Sequence, residues 1–208
     1  ADLLTQLTDV IVRQTGDLRR IVDEFSKFAR MPVPLRKPCN LTELVRAAVL
    51  LQEGSQPNLT FETELPSGEL DASLDETMIG QALTNLMKNA GEAIESRRNK
   101  SGEPDHGMIR VRLSEHSGSA VVTVSDNGIV LHADRSRLFE PYVNTRVEGT
   151  GLGLSIVRKI AEEHGGTLVL EDAEPFDETG HRGAMAILTL PLAQTSETPP
   201  EPAKDLVT

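Results

Sequence analysis

The first thirty residues carry apolar side chains at Leu4, Leu7, Ile11, Leu18, Ile21, Phe25 and Phe28, in alternating steps of three and four. Gln14 fills the one polar slot in that series. This is a heptad seam, and it predicts one long helix suited to a helical hairpin or coiled coil. A plain amphipathic helix lying on its own domain is the alternative. The pattern stops at MPVPLRKP, where three prolines in seven residues forbid continuation. Residues 1–31 therefore form one unit, and 32–39 a Pro-rich linker.

A second region, 40–193, opens with Asn40 as an N-cap and Glu43 three residues later in a capping-box pattern. The helix LTELVRAAVLLQ follows, then LTFETEL alternates as a strand. SLDETMIGQALTNLMKNAGEAIESRR reads as a long helix with Ser73 or Asp75 near its start. MIRVRLS and AVVTVSD alternate as strands around the turn EHSGS, and ADRSRLF is a short helix. The glycine-rich GTGLGL runs into the helix SIVRKIAEEH, which Gly165-Gly166 stop, and the strands TLVLED and AMAILTL close the region. The tail, 194–208, is rich in Pro and acid and is expected to be disordered. Strands and helices mix without strict βαβ alternation. The expected fold class is α+β: a two-layer α/β sandwich, a mixed sheet covered by helices on one face, preceded by the long N-terminal helix.

Composition narrows the function. A net charge of −11 argues against sequence-independent nucleic-acid binding, which needs Lys and Arg against phosphates. One cysteine, Cys39, excludes an intramolecular disulfide and a multi-cysteine zinc site. No apolar run approaches the roughly 18–20 residues needed to span a bilayer, and a reducing cytoplasmic setting fits. The N-terminus has no initiator Met and no signal-peptide pattern, as expected of an excised piece of a longer protein.

The long helix has a buried stripe, Ile79, Leu83, Leu86, Met87, Ala90 and Ile94. Asn85, Lys88, Asn89 and Glu92 share the opposite side. A solvated polar face is the ordinary explanation, but asparagine is a poor choice for a helix interior. Two asparagines four apart suggest amide oxygens directed at a hard cation such as Mg²⁺, shared with phosphates. Gly149, Gly151 and Gly153 lie immediately before a helix, where backbone N–H groups make an anion site. The spacing is neither the dinucleotide fingerprint nor a P-loop. Arg146 is a further phosphate partner on this reading. Asp126-Asn127-Gly128 is either a hairpin turn or a strand end that presents a carboxylate to a ligand. The return-strand pattern a hairpin needs is missing from IVLHADRSRLF. The five histidines, His106, His116, His132, His164 and His181, show no zinc or triad spacing and are expected at the surface.

In order, NLMKNAGEAI (85–94), DNGIVL (126–131), RLFEPY (137–142) and GTGLGLSIV (149–157) resemble the ATP-binding domain of sensor histidine kinases, the gyrase/Hsp90/kinase-type nucleotide fold. The resemblance covers about residues 40–192. IVDEFSKFARMPVP is similar to the end of the second dimerisation helix in nitrogen-regulation kinases of the NtrY type. It implies that Asn89 ligates Mg²⁺ on ATP, with Asn85 a second candidate ligand. Asp126 accepts from the adenine amine, and Gly128 lets backbone approach the base. Gly149, Thr150, Gly151, Leu152, Gly153 and Leu154 form a lid over the triphosphate, Phe139 positions it, and Lys88 and Arg146 complete the ATP site.

The same resemblance implies ATP and Mg²⁺ as cofactors, a response regulator receiver domain as partner, and a homodimer in the intact protein. It also implies a cytoplasmic catalytic region on a protein anchored in the bacterial inner membrane. ATP-hydrolysing relatives carry a glutamate at position 85, and Asn85 cannot act as general base, so kinase is favoured over ATPase. No catalytic side chain is identified, because the H-E-x-x-N/T-P-L type block with the phosphoacceptor histidine is missing. The chain alone should not autophosphorylate. The family's adenine loop reads D-N-G-x-G, whereas Val130 stands at the second glycine. A β-branched residue resists φ > 0, which predicts weakened nucleotide affinity or a rearranged loop. The alternative function is a degenerate nucleotide-sensing module of the same fold without phosphotransfer.

Overall fold

The computed structural model describes residues 2–29, 31–101, 106–131, 134–139, 151–176 and 181–192. The heptad seam forms α1, Asp2–Ala29, a single helix of 28 residues. It ends before the prolines, as their fixed φ and missing N–H require. Leu7, Ile11, Val12, Leu18 and Val22 along it are more than half exposed.

The linker is shorter than expected. Its last residues form β1, Lys37–Asn40, which pairs antiparallel with β3, Asp71–Leu74. Ser73 and Leu74, read above as the start of a helix, are thus strand. Between them lie α2, Leu41–Ser55, and β2, Leu59–Glu64. Asn40 caps α2, its side chain accepting from Thr42 N at 3.0 Å and Glu43 N at 3.3 Å. The Glu43 carboxylate pairs with Arg46.

α3 spans Glu76–Ser101, and Asp75 is its cap: Oδ1 accepts from Thr77 N and Met78 N, both at 3.1 Å. The predicted stripe is buried throughout, from Ile79 and Leu83 at 0 % exposure to Ala90 at 4 %. β4, Gly107–His116, and β5, Ser119–Asp126, form a hairpin whose turn places Ser117 at φ 51° and Gly118 at φ 75°. Two left-handed central residues match the twist of the flanking strands. A short 3-10 turn follows at Ser136–Phe139, then α4, Gly153–Glu163, β6, Thr167–Asp172, and β7, Ala184–Pro191. α4 stops in a Schellman motif, Gly166 N on Ala161 O at 2.8 Å and Gly165 N on Glu162 O at 2.9 Å.

The five-stranded sheet runs β2-β4-β5-β7-β6, parallel only between β2 and β4. Its inward residues alternate, so Val111, Val124 and Ala186 form one cross-strand row and Leu113, Val122 and Leu188 the next. These rows pack beneath α2, α3 and α4 in one core. The expected two-layer sandwich with a mixed sheet is therefore present. Each of the large side chains buried here, such as Leu83 or Leu188, contributes about 1.5–3 kcal/mol.

Not every histidine is at the surface. His164 is completely buried: its Nδ1 lies 2.8 Å from Ile160 O, and its Nε2 accepts from Asp75 N at 3.0 Å. The imidazole thereby ties the end of α4 to the start of α3. Sequence spacing alone could not show this, because the bond links residues 89 apart. His181 is half-buried, and His106 and His116 are exposed. His132 lies outside the described residues.

Candidate functional site

The three best motifs of the sequence converge between α3, the end of β5 and the start of α4. Asn85 and Asn89 are half-buried on α3. A Cβ added to Gly153, the first residue of α4, would lie 3.4 Å from both Nδ2 and Oδ1 of Asn89. The start of α4 therefore lies against the asparagine face of α3, although 64 residues separate Gly153 from Asn89 (153 minus 89).

That helix start is built for an anion. Its N-cap position is Leu152, which gives no side-chain cap, and its first turn holds no acidic residue. The N-cap side chain thus gives the first-turn N–H groups no acceptor, and the local dipole favours negative charge. The hydroxyl of Ser155, in the same turn, is buried with no partner among the described residues. Gly151 precedes it at φ 69°, a left-handed conformation that bulkier residues resist. Leu152 is wholly buried in the core, so only its backbone is available to a ligand, whereas Leu154 is half-buried. Arg146, Gly149 and Thr150 lie outside the described residues. Phe139 packs at the core margin with the Arg158 guanidinium 5.3 Å from its ring centroid, which fixes it against α4.

At the end of β5, Asp126 is 4 % exposed and its Oδ1 accepts from Gly128 N at 2.8 Å. This is an Asx turn rather than the corner of a hairpin, since the chain does not return as a strand. Asn127 is a structural pin. Its Oδ1 accepts from Met108 N at 2.9 Å, its Nδ2 donates to His106 O at 2.8 Å, and its carbonyl accepts from Arg97 at 2.7 Å. A Cβ at Gly128 would sit 2.5 Å from the Ala93 carbonyl carbon and 2.6 Å from Ile94 N. Glycine is thus needed here for contact with α3 itself.

Val130 does not adopt the left-handed backbone feared for it. Among described non-glycine residues only Ser117 has positive φ. The Val130 side chain is 57 % exposed, so most of it faces solvent.

Lys88 is exposed and pairs weakly with Glu92 at 3.9 Å, on the margin of the asparagine face. Beside it, the end of α2 and α3 border a cleft of about 460 Å³, lined by Gln52, Gln56, Lys88, Glu92 and Arg98 among others. The cleft shares Lys88 and Glu92 with the site but contains neither asparagine, nor Asp126. The site proper lies where the middle of α3, the end of β5 and the start of α4 meet. Among the described residues no group of three or more His, Cys, Asp or Glu could hold a metal ion, so a cation here would rely on amide and phosphate oxygens.

Sequence reasoning missed Arg97, Gly183 and His181. A Cβ at Gly183 would fall 2.0 Å from Asp126 O, and His181 Nε2 lies 2.8 Å from Gly128 O. The glycine before an alternating strand was the one available signal.

The family model described as histidine kinase-, DNA gyrase B-, and HSP90-like ATPase matches residues 74–194. The chain is 45% identical over 193 residues to the nitrogen regulation protein NtrY of Azorhizobium caulinodans, covering 91% of this chain and 24% of that protein. It is 34% identical over 164 residues to the C4-dicarboxylate transport sensor protein DctB of Rhizobium meliloti, covering 77% of this chain and 25% of that one. The chain thus spans about a quarter of the length of each of these two relatives. Among solved structures, the catalytic domain of the histidine kinase ThkA aligns with a TM-score of 0.63 at 31% identity, over 75% of this chain and 95% of that one. ThkA in complex with the response regulator protein TrrA aligns with a TM-score of 0.68 at 27% identity, over 91% of this chain and 52% of that one.

Proposed function

Because the chain belongs to the family of histidine kinase-, DNA gyrase B- and HSP90-like ATPases, in its NtrY-like sensor kinase form, we propose that it serves as the ATP-binding catalytic region of a two-component sensor histidine kinase. In the intact protein the γ-phosphoryl of ATP passes to a histidine, and from there to an aspartate of a response regulator receiver domain. The observation that carries this reading is the meeting of Asn89 with the uncapped start of α4 at Gly153. Amide oxygen and helix N–H groups together suit a magnesium-bound polyphosphate.

Each residue has a task. Asp126 accepts from the adenine amine, and a buried carboxylate rejects the carbonyl that guanine presents there. Asn89, with Asn85 beside it, would hold Mg²⁺, which when bound supplies charge neutralisation between phosphates. The N–H groups at the start of α4 orient the triphosphate, Gly149, Thr150 and Gly151 close over it, and Lys88 and Arg146 add positive charge. Asn85 offers no general base, which spares the nucleotide from hydrolysis. The work is positioning and electrostatic stabilisation.

The remaining organisation follows from this reading. Residues 1–31 supply the second helix of a dimerisation hairpin, 32–39 a linker and 40–193 the catalytic domain. The intact protein is a homodimer anchored in the bacterial inner membrane with this region in the cytoplasm. The described residues themselves contain no helix long and apolar enough to cross a membrane. ThkA bound to TrrA supports the receiver-domain partner.

The test is to supply in trans a helical hairpin of the NtrY type that carries the acceptor histidine, with labelled Mg-ATP. Acid-labile, base-stable label on the hairpin is the expected result. Steady-state hydrolysis without labelled histidine would overturn the kinase reading.

A further inference from the structure

We propose that His181 is the positioning residue of the base-reading loop, holding Gly128 in register for adenine by donating from Nε2 to the Gly128 carbonyl. The inference rests on the reading of Asp126 as the adenine acceptor.

The loop 126–129 is pinned almost atom by atom. Its N–H groups are held by Met108 O (from Asn127 N, 3.2 Å), Asp126 Oδ1 (from Gly128 N, 2.8 Å) and Ala93 O (from Ile129 N, 3.2 Å). The carbonyl of Asn127 accepts from Arg97 at 2.7 Å. All of these anchors belong to β4, β5 or α3, beneath and beside the loop. The Gly128 carbonyl is anchored from the other side, by His181 at 2.8 Å. A carbonyl oxygen only accepts, so Nε2 carries the proton in this bond.

Two residues further on, Gly183 passes so near that a Cβ there would meet Asp126 O at 2.0 Å, Asp126 C at 2.7 Å and Gly128 N at 2.9 Å. The stretch 181–183 therefore forms a backbone wall against the Asp126–Gly128 turn, and His181 is its one side-chain clasp on the turn's carbonyl. The peptide between Gly128 and Ile129 shares that carbonyl. Turning it would disturb Ile129 N on Ala93 O and shift Gly128 N on Asp126 Oδ1 together. Since Oδ1 is engaged by Gly128, the orientation of the Asp126 carboxylate depends on where Gly128 sits. His181 thus acts on base recognition through Gly128 and has no need to touch the nucleotide. Val130, more than half exposed, contributes no comparable restraint on the outer side.

The experiment uses the 208-residue chain with His181→Ala and His181→Gln, the glutamine keeping an N–H donor. Binding of a non-hydrolysable Mg-ATP analogue and of magnesium tripolyphosphate is measured by calorimetry, with thermal unfolding as the folding control. His181→Ala should weaken the adenine nucleotide roughly three- to tenfold, the scale of one neutral hydrogen bond. Tripolyphosphate binding should stay unchanged, and His181→Gln should recover most of the loss. Unchanged nucleotide binding in His181→Ala, equal weakening of tripolyphosphate, or no recovery in His181→Gln would overturn the assignment. Failure of the wild-type chain to bind the Mg-ATP analogue would instead overturn the nucleotide-site reading beneath it.

Discussion

Gly153 faces the Asn89 carboxamide with room for just a methyl group: a Cβ added at Gly153 would lie 3.4 Å from both Nδ2 and Oδ1. Stability and binding therefore separate at this position. Gly153→Ala puts a methyl in ordinary van der Waals contact and restricts the unfolded chain, which stabilises by up to about 1 kcal/mol. The same methyl occupies the slot between Asn89 and the helix start. The melting temperature should hold or rise while Mg-nucleotide affinity falls at least several-fold. Unfolding and binding curves of one variant check both.

Asp126 and Gly128 part in the same way but with the opposite emphasis. Asp126→Asn keeps an oxygen for Gly128 N, so the turn survives, yet it removes the charge proposed to accept from the adenine amine. Adenine nucleotide affinity should drop tenfold to a hundredfold, the scale of a charge-assisted bond of about 1.5–3 kcal/mol. Gly128→Ala drives a methyl into the backbone of α3 at Ala93 and Ile94. It should cost about 1–3 kcal/mol of stability, as overpacking does, read from urea denaturation.

The Asp75 carboxylate holds three backbone groups: Thr77 N and Met78 N on Oδ1, and Leu35 N of the linker on Oδ2 at 2.9 Å. Burial pushes its pKa up, but the bonds from Leu35, Met78 and Thr77, with nearby His164, outweigh this and hold it below its ordinary 3.8. A lowered folded-state value means stability that is fully present above the ordinary value and lost as pH falls through the folded one. Asp75→Ala should cost about 1 kcal/mol near pH 7. Its stability should also change less than the wild type's on acidification below about pH 4. Urea titrations at pH 7 and across pH 2–5 check the sign.

Much of this was legible in the chain. The buried stripe of α3, the Asn40 cap, the Ser117-Gly118 turn and the glycine stop of α4 follow from local period and local hydrogen bonding. The same holds for the asparagine face and the helix start of the candidate site. What stayed hidden depends on long-range pairing. β1 and β3 are four residues each, one holding Pro38, and neither alternates long enough to signal a strand without its partner. His164 is expected at the surface because nothing local marks it, yet it bonds Asp75 N, 89 residues away in sequence. His181 was hidden in the same way, since its partner Gly128 lies 53 residues away. Val130 does not adopt the left-handed backbone that its place in the family's D-N-G-x-G pattern suggests, because φ is set by the surrounding loop and not by position in a motif.

The most direct test of the central claim is calorimetric titration of the chain with a non-hydrolysable ATP analogue, with and without Mg²⁺, in wild type and Asn89→Ala. The account predicts wild-type binding strengthened by magnesium, and loss of that magnesium-dependent part in Asn89→Ala with the metal-free component retained. Wild-type binding indifferent to magnesium, or an Asn89→Ala variant that keeps the full magnesium effect, would contradict it.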